Sequence, residues 1–297
     1  MTYEHGTTSR RLPAWLRRPL ATPGQFSAVE GLLGELRLNT VCQSAKCPNR
    51  GECFSSGTAT FLIMGDACTR GCRFCAVETR TPAPLDADEP ARVAEAARRL
   101  GLTHVVVTTV TRDDIADGGA AHFVAVIEAL REAVPDAKIE VLTSDFAGRM
   151  ESVRRVVDAR PDVYNHNVET VPRLYERVRP GADYGRSLAV LESAAEFGEG
   201  RMPTKSGLML GLGETVDEVL DVMADLRRAG CELLTLGQYL RPSEAHLPVA
   251  EFVEPDVFRQ LGREARKLGF AGVASAPFVR SSYHAQELLA EEPRPGA

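Results

Sequence analysis

Three cysteines in one short segment have a spacing that suits metal chemistry. Cys68, Cys72 and Cys75 follow the pattern C-x3-C-x2-C, and we call residues 68–75 the Cys68 loop. Thiolates are the usual protein ligands of a [4Fe-4S] cluster, and three of them leave one of its four irons open. Structural zinc sites favour four ligands, commonly as paired C-x2-C halves. The spacing therefore indicates an iron–sulfur cluster that can bind a further ligand at its open iron.

The residue before the last of these cysteines is aromatic, Phe74. An open iron together with Phe74 resembles the signature of the radical S-adenosylmethionine (SAM) superfamily. In that superfamily the amino and carboxylate groups of SAM chelate the free iron. The resemblance implies a SAM-binding cluster on the Cys68 loop, with Phe74 at the cofactor.

A second set of three cysteines lies just upstream, at Cys42, Cys47 and Cys53, with the pattern C-x4-C-x5-C. We call residues 42–53 the Cys42 loop. Six of the seven cysteines in the chain fall into these two sets, which argues against incidental core thiols. The seventh, Cys231, lies beside an apolar run and is predicted to be a buried core residue.

Composition limits the function classes further. With 297 residues and 44% hydrophobic content, the chain is long enough for one α/β barrel of about 250 residues. A net charge of −6 and a pI near 5.6 argue against nucleic acid as a partner. We see neither an apolar run of roughly 20 residues nor a secretory signal. Clustered cysteines then predict metal ligands in a reducing compartment, so we expect a cytoplasmic protein without a membrane partner.

Apolar strand-like segments alternate with amphipathic helical segments from Thr60 onward, which indicates parallel strands with right-handed crossovers. The predicted strands are 61–64, 104–109, 138–143, 162–165, 206–210, 232–236 and 271–275. The predicted fold class is therefore α/β, a partial (β/α)6-type TIM barrel with N-terminal and C-terminal extensions. We assign residues 1–57 to the N-terminal extension, 58–275 to the barrel and 276–297 to the C-terminal extension, with a disordered tail at 291–297.

Helix-breaking residues mark the N-terminal extension. A helix is predicted at 25–36, where apolar residues have helical spacing. In the Cys42 loop that follows, Pro48, Asn49 and Gly51 are expected to exclude regular structure.

Polar segments follow the predicted strands, at the end of a parallel sheet where sites gather. Gly118 and Gly119 permit close approach of a ligand, and the amides that open the next helix are suited to its carboxylate. The alternative is a simple turn with a helix cap. Asn165, Asn167 and Glu169 offer hydrogen bonds to a ribose and an amino group. We assign no side chain a catalytic acid or base role.

Several stretches together resemble lipoyl synthase across nearly the whole chain, from about Leu12 to Ala285. The matching stretches are Leu38-Asn39-Thr40-Val41-Cys42, Arg112-Asp113-Asp114 with Asp117-Gly118-Gly119-Ala120, Asn165-His166-Asn167 with Glu169-Thr170-Val171, Lys205-Ser206-Gly207, Gly237-Gln238-Tyr239-Leu240 and Arg280-Ser281-Ser282-Tyr283. The resemblance implies two [4Fe-4S] clusters and SAM as cofactors. It also implies insertion of two sulfur atoms, at C6 and C8 of a protein-bound octanoyl group, with the cluster on the Cys42 loop as sulfur donor.

The same resemblance implies the partners and one more cluster ligand. The partners are octanoylated lipoyl carrier domains of the H protein or 2-oxoacid dehydrogenase E2 type, an electron donor and cluster-assembly proteins. A hydroxyl from Arg280-Ser281-Ser282-Tyr283 is the candidate fourth ligand of the auxiliary cluster. Spacing alone does not distinguish the two serines, and the resemblance favours Ser282 over Ser281.

Two other readings compete with this one. A different radical SAM enzyme acting on RNA would need a basic face, which the composition does not indicate. An iron–sulfur electron carrier or a zinc module would have little use for a six-strand α/β body and an incompletely ligated cluster.

Overall fold

A computed structural model describes residues 12–17, 23–55, 59–283 and 285–290. Within these residues, one sheet of eight strands and one pair of short strands organise the fold. The strands are β1 (Asn39–Thr40), β2 (Thr60–Ile63), β3 (Ala67–Cys68), β4 (Glu78–Thr79), β5 (His104–Thr109), β6 (Lys138–Leu142), β7 (Val163–Asn165), β8 (Thr204–Leu210), β9 (Leu233–Gln238) and β10 (Gly272–Ser275).

The large sheet has the order β1-β2-β5-β6-β7-β8-β9-β10. Every neighbouring pair from β2 to β10 is parallel, and only β1 runs antiparallel, against β2. Parallel neighbours need long crossovers, and helices supply them between most of the strands. The predicted α/β partial barrel is confirmed, with all seven predicted strands in one parallel set.

Helices cover the sheet between its strands. They are α1 (Pro23–Glu35), α2 (Val41–Ser44), α3 (Arg50–Ser55), α4 (Glu89–Leu100), α5 (Ala120–Ala133), α6 (Met150–Asp158), α7 (Tyr175–Val178), α8 (Tyr184–Gly198), α9 (Val216–Arg228), α10 (Pro255–Lys267) and α11 (Ala285–Ala290). Local sequence sets their ends: Thr215 and Glu218 form a capping box at α9, and Gly101 closes α4 at φ +61°.

The core lies between the sheet and its helices, as two apolar clusters. One joins β5 and β6 to α4 and α5 around Val107 and Ile139, and the other joins β9 to α9 and α10 around Leu236 and Phe258. Cys231 is fully buried in the second cluster, as predicted. The clusters fix the sheet, so its strand ends are rigid supports for the loops that follow them.

One feature of the N-terminal part differs from expectation. The Cys42 loop contains two short helices, α2 and α3, although we expected no regular structure there. Pro48 and Asn49 fall between the helices, and Gly51 lies in the first turn of α3, where the helix ladder does not depend on it. Thr40 begins α2 by accepting a hydrogen bond from the Gln43 amide. The predicted tail at 291–297 lies outside the described residues, within which no helix has the length and apolar character to cross a bilayer.

Candidate functional site: two cysteine loops at one end of the sheet

The Cys68 loop begins where β2 ends, and backbone hydrogen bonds fix it to neighbouring strand-end segments. The Thr69 amide donates to the Thr111 carbonyl (3.1 Å), and the Arg73 amide donates to the Val178 carbonyl (2.9 Å). The Thr111 amide also points at the Cys68 sulfur, 3.3 Å away. The loop is therefore positioned by the segments that follow β5 and β7, and an amide already faces one of its thiols.

A buried arginine network reinforces this placement. Arg70 donates to both carboxylate oxygens of Asp113 (2.7 and 2.8 Å) and to Asp145 (2.9 Å), which also accepts from Arg186 (2.8 Å). The Asp145 side chain is fully buried. Burial opposes ionisation, but Arg70 outweighs it and holds the pKa of Asp145 well below its usual range. An ionised Asp145 thus fixes the loop to the segment that follows β6.

The three thiols of the Cys68 loop are close enough to influence one another. Burial raises the pKa of Cys75 to about 12, and the charges of Cys72 and Cys68 add to that increase. Burial likewise raises the pKa of Cys72, against the opposing charge of Arg179. In the described residues, no three His, Cys, Asp or Glu side chains converge on a point that suits a single metal ion. In a cubane each thiolate binds a different iron, and the three thiols of this loop supply three such ligands.

Polar groups without partners surround the thiols. Asn167 and Glu169 follow β7, and the influence of Glu169 on the pKa of both Cys72 and Cys75 places its carboxylate beside them. Burial raises the pKa of Glu169 itself. The Asn167 Oδ1 and Arg179 Nε atoms are buried without a hydrogen-bond partner in the part of the chain described. Buried polar groups are nearly always paired, so these atoms mark a place for a polar ligand.

Two neighbours of Asn167 have different roles. Asn165 has no exposed surface, and its side-chain nitrogen donates to Glu140 (2.9 Å), which is also paired with Lys205 (2.9 Å). The predicted SAM contact of Asn165 is therefore not supported, because the side chain belongs to a buried polar cluster inside the barrel. His166 is buried as well, and its Nδ1 lies 3.0 Å from the Thr143 carbonyl. Burial lowers the pKa of His166 to about 4, so the ring is neutral.

Gly118 and Gly119 do not face open space. A Cβ at Gly118 would lie 2.9 Å from the Phe146 ring, and one at Gly119 would lie 2.2 Å from the Met64 sulfur. Both glycines have positive φ, and the Asp117 carboxylate accepts from the amides of Gly119 and Ala121. The turn is thus packed and carries its own helix cap, as in the alternative, and a ligand contact of the backbone at Gly118 and Gly119 stays a prediction.

The rest of the Cys68 loop is covered from one side. Phe74 is half-buried and packs against the apolar cluster around β9. His246, from the segment after β9, has its Nε2 3.0 Å from the Cys75 carbonyl, and the Leu247 amide donates to the Arg73 carbonyl (3.1 Å). Sequence reasoning missed His246 and Arg179, because neither belongs to a motif that we recognised.

The Cys42 loop lies against helix α1 and strand β2. Cys42 is buried, and burial raises its pKa to about 11, while Cys47 and Cys53 are half-buried. The Arg50 guanidinium lies 5.0 Å from the Phe26 ring centre and 5.6 Å from that of Phe54, and it pairs with Glu30. These contacts hold α3 against α1 from the solvent side.

Residues 278–283, which we call the C-terminal turn, contact the Cys42 loop and the segment that follows β7. The Tyr283 hydroxyl donates to Glu52 (2.7 Å), and the Asn49 side chain donates to the Phe278 carbonyl (2.7 Å). The Asn167 side-chain nitrogen donates to the Ser281 hydroxyl (2.6 Å). Ser282 is half-buried between these contacts, and no hydrogen bond of its side chain is seen with the described residues.

The donor sets suit two iron–sulfur clusters and SAM. Each loop offers three thiols, and thiolate is the ligand that such clusters prefer. After β7, the Asn167 Oδ1 and Arg179 Nε are unpaired among the described residues, and they supply an acceptor and a donor for a ligand with hydroxyl, amino and carboxylate groups. The residues of the two loops and their neighbours therefore fit two [4Fe-4S] clusters and SAM.

Comparisons with known proteins agree with this geometry. The profile of the Radical SAM superfamily matches residues 62–226. A lipoyl synthase of Caldanaerobacter subterraneus is 58% identical over 275 residues, covering 93% of this chain and 96% of the relative. A lipoyl synthase of Nitrosococcus oceani is 56% identical, covering 97% of this chain and 89% of the relative.

Solved structures show the same fold at low identity. The FeFe-hydrogenase maturase HydG from Carboxydothermus hydrogenoformans superimposes with a TM-score of 0.60 at 18% identity, over 78% of this chain and 56% of HydG. Methylornithine synthase (PylB) gives 0.53 at 14% identity, over 81% of this chain and 73% of PylB. The full-length relatives decide the family: this chain belongs to the lipoyl synthases, sulfur-inserting enzymes of the radical SAM superfamily.

Proposed function

We propose that the two cysteine loops hold two [4Fe-4S] clusters with separate tasks in lipoyl-group synthesis. When bound, SAM and its cluster supply a carbon-centred radical able to remove hydrogen from C6 and C8 of an octanoyl chain, and the auxiliary cluster supplies the sulfur. The protein contributes position and exclusion of side reactions. The single observation that carries this proposal is that the C-terminal turn contacts the Cys42 loop through Tyr283 and the segment after β7 through Ser281, and that second segment also holds the Cys68 loop.

Cys68, Cys72 and Cys75 are assigned to the SAM cluster. Asn167 and Glu169 are assigned to SAM itself, because the Glu169 charge acts on Cys72 and the Asn167 Oδ1 is buried without a partner among the described residues. Arg179 joins this set, since its guanidinium lies against Cys72. Its positive charge opposes the effect of burial on the pKa of that thiol. Phe74 closes the apolar side of the loop.

Cys42, Cys47 and Cys53 are assigned to the auxiliary cluster, with Ser282 as its fourth ligand. A serine oxygen is a harder and poorer ligand for such an iron than a thiolate, which suits a cluster that must give up an iron as its sulfides leave. Tyr283 and Asn49 support this assignment, because their hydrogen bonds hold the C-terminal turn next to the Cys42 loop.

The remaining assignments follow the same division. Residues 1–57 form the N-terminal extension with the Cys42 loop. Residues 58–275 form the barrel, and residues 276–297 form the C-terminal extension with the C-terminal turn. The substrates are octanoylated lipoyl carrier domains of the H protein or 2-oxoacid dehydrogenase E2 type, and an electron donor and cluster-assembly proteins serve the enzyme. A cytoplasmic location is proposed because a reducing compartment preserves clustered thiols.

Mass spectrometry of an octanoylated lipoyl domain tests this function. The domain is incubated anaerobically with the protein, SAM and a reductant. The expected product carries two sulfur atoms in place of two hydrogens, with 5′-deoxyadenosine formed alongside. A wild-type protein that holds both clusters and cleaves SAM but leaves the octanoyl group unchanged would reject the proposal. A domain without the octanoyl group is the matched control.

A further inference from the structure

The C-terminal turn contacts a residue assigned to SAM through Ser281, and the loop assigned to the auxiliary cluster through Tyr283. Asn167 donates to Ser281 (2.6 Å) on one side, and Tyr283 donates to Glu52 (2.7 Å) on the other. Ser282 lies between them. A change in the position of this turn therefore reaches both sites, and the inference below rests on the proposed function of those sites.

The hydrogen bonds of Asn167 fix the orientation of its amide. Its side-chain nitrogen donates to the Glu169 carboxylate (3.1 Å) and to the Ser281 hydroxyl. A carboxylate only accepts, so the nitrogen and not the oxygen must face Glu169. With both N–H groups in use, Oδ1 is the remaining polar atom, buried and without a partner among the described residues. Asn167 is thus held as an oriented acceptor, and its backbone carbonyl accepts from Arg179 (3.1 Å), whose charge acts on Cys72.

Glycines on two strands make room for the turn. A Cβ at Gly207 would lie 3.2 Å from the Ser281 hydroxyl and 3.0 Å from Asn167 Oδ1. A Cβ at Gly237 would lie 2.1 Å from the Val279 carbonyl. Any larger residue at Gly237 would displace the backbone that leads into the turn. The close approach of the turn to the sheet is therefore built into the strands.

Charge supports the same contact. The Arg280 guanidinium lies close enough to Glu169 to oppose the effect of burial on that carboxylate. The turn thus approaches the pair formed by Asn167 and Glu169 with one hydroxyl and one positive charge.

We propose that Ser281 is a positioning residue that orients Asn167 for SAM, and thereby makes SAM affinity depend on the docking of the turn that carries Ser282. When the turn leaves its place, Asn167 loses one of its two fixed hydrogen bonds and SAM binds less tightly. Coupling between two sites is reciprocal, so bound SAM also stabilises the docked turn. Once the auxiliary cluster has been consumed, Ser282 has no iron to bind. The enzyme would then bind SAM less tightly.

Equilibrium dialysis of SAM against the oxidised enzyme with both clusters tests this coupling. Without a reductant, SAM binds but is not consumed. Ser281→Ala removes the acceptor for Asn167, and we expect its dissociation constant for SAM to rise about five- to tenfold, the effect of one orienting hydrogen bond. Ser275→Ala is the matched control, because that serine donates to the Phe258 carbonyl (2.6 Å) and not to Asn167, and a rise of no more than about twofold is expected. Wild-type affinity in Ser281→Ala, or an equal loss in both variants, would overturn the proposal.

Hydrogen exchange of the wild-type holoenzyme is a second measurement that needs no variant. Amides of residues 279–283 should exchange more slowly with SAM than without it. Unchanged exchange there would also reject the inference. Lipoyl formation by a wild-type enzyme that shows no coupling would leave the proposed function intact. A coupled enzyme that forms no lipoyl group would instead count against the proposed function alone.

Discussion

The Cys68 and Cys42 loops each carry three thiols, but different parts of the chain hold them. The Cys68 loop is fixed to the ends of the strands β5, β6 and β7 by backbone hydrogen bonds and by Arg70. The Cys42 loop is held by helix α1, which precedes it, and by the C-terminal turn. In one of these contacts Asn49 donates to Phe278, 229 residues later in the chain. One loop therefore depends on the barrel and the other on the two extensions.

The difference matches the task that we propose for each site. A cluster that binds and reduces SAM in every cycle must keep its position, and a buried charge network on rigid strand ends provides that. A cluster that is consumed must be dismantled and rebuilt, which requires access. Exposed contacts such as the pair of Arg50 and Glu30, whose side chains are 34% and 42% exposed, open more readily than Arg70 with Asp145.

Removal of thiols breaks the comparison most completely. Alanine at Cys68, Cys72 or Cys75 should abolish SAM cleavage, because SAM must sit on the open iron to receive an electron. Alanine at Cys42, Cys47 or Cys53 should leave SAM cleavage measurable and eliminate sulfur transfer. The measurements are 5′-deoxyadenosine by chromatography and the mass of the carrier domain.

Iron content of each cysteine variant is the control for that experiment. Wild-type 5′-deoxyadenosine formation in a Cys68, Cys72 or Cys75 variant would contradict the assignment of the SAM cluster. Joint loss of both activities and both clusters in the Cys42-loop variants would show a structural role for that loop.

An arginine on each side gives a matched pair with a smaller effect. Arg70→Ala leaves the buried Asp145 with Arg186 alone, and we expect a loss of about 2 to 4 kcal/mol in the free energy of unfolding. Arg50→Ala removes a half-exposed ion pair and cation–π contacts, and about 1 kcal/mol is expected. Thermal unfolding of the anaerobically prepared proteins, with iron analysis, measures both. Equal losses would show that the two loops are held equally firmly.

The sequence predicted the strands and the cysteines because both are local signals. Apolar runs such as 104–109 identify strands by themselves, and thiol spacing identifies a cluster loop. The roles of Arg70, Arg179 and His246 depend on partners from other segments, such as Asp145, and no local pattern names such partners. These residues therefore could not be assigned before the fold was known.

The predicted SAM contacts depend on tertiary contacts in the same way. Gly118 and Gly119 have the composition of a ligand-binding turn, but only the tertiary structure shows that Phe146 and Met64 fill the space above them. Asn165 and Asn167 are two residues apart and look equivalent in sequence. Asn165 ends β7, and its side chain donates to Glu140 inside the barrel. Asn167 lies beyond the strand, and its side-chain oxygen has no partner among the described residues.

A fall in pH should affect the barrel through His166, whereas the Cys42 loop contains no histidine. Burial lowers the pKa of His166 to about 4 in the folded protein, against about 6.5 for an unfolded histidine. Between these values the unfolded chain binds more protons than the folded one, so the free energy of unfolding falls as the pH falls. The groups that face His166 are the Thr143 carbonyl, Arg179, Asp145 and Arg70.

We expect a loss of roughly 1 to 2 kcal/mol in the free energy of unfolding between pH 6.5 and pH 5, at no more than about 1.4 kcal/mol per pH unit. His166→Gln should remove most of this slope, because glutamine keeps a donor for the Thr143 carbonyl but does not titrate. Asp145 has its pKa lowered as well, but its stabilisation is lost only at more acidic pH, below the usual range of a carboxyl group. Denaturant unfolding at several pH values measures the slope, and the same slope in both proteins would mean that His166 is not its source.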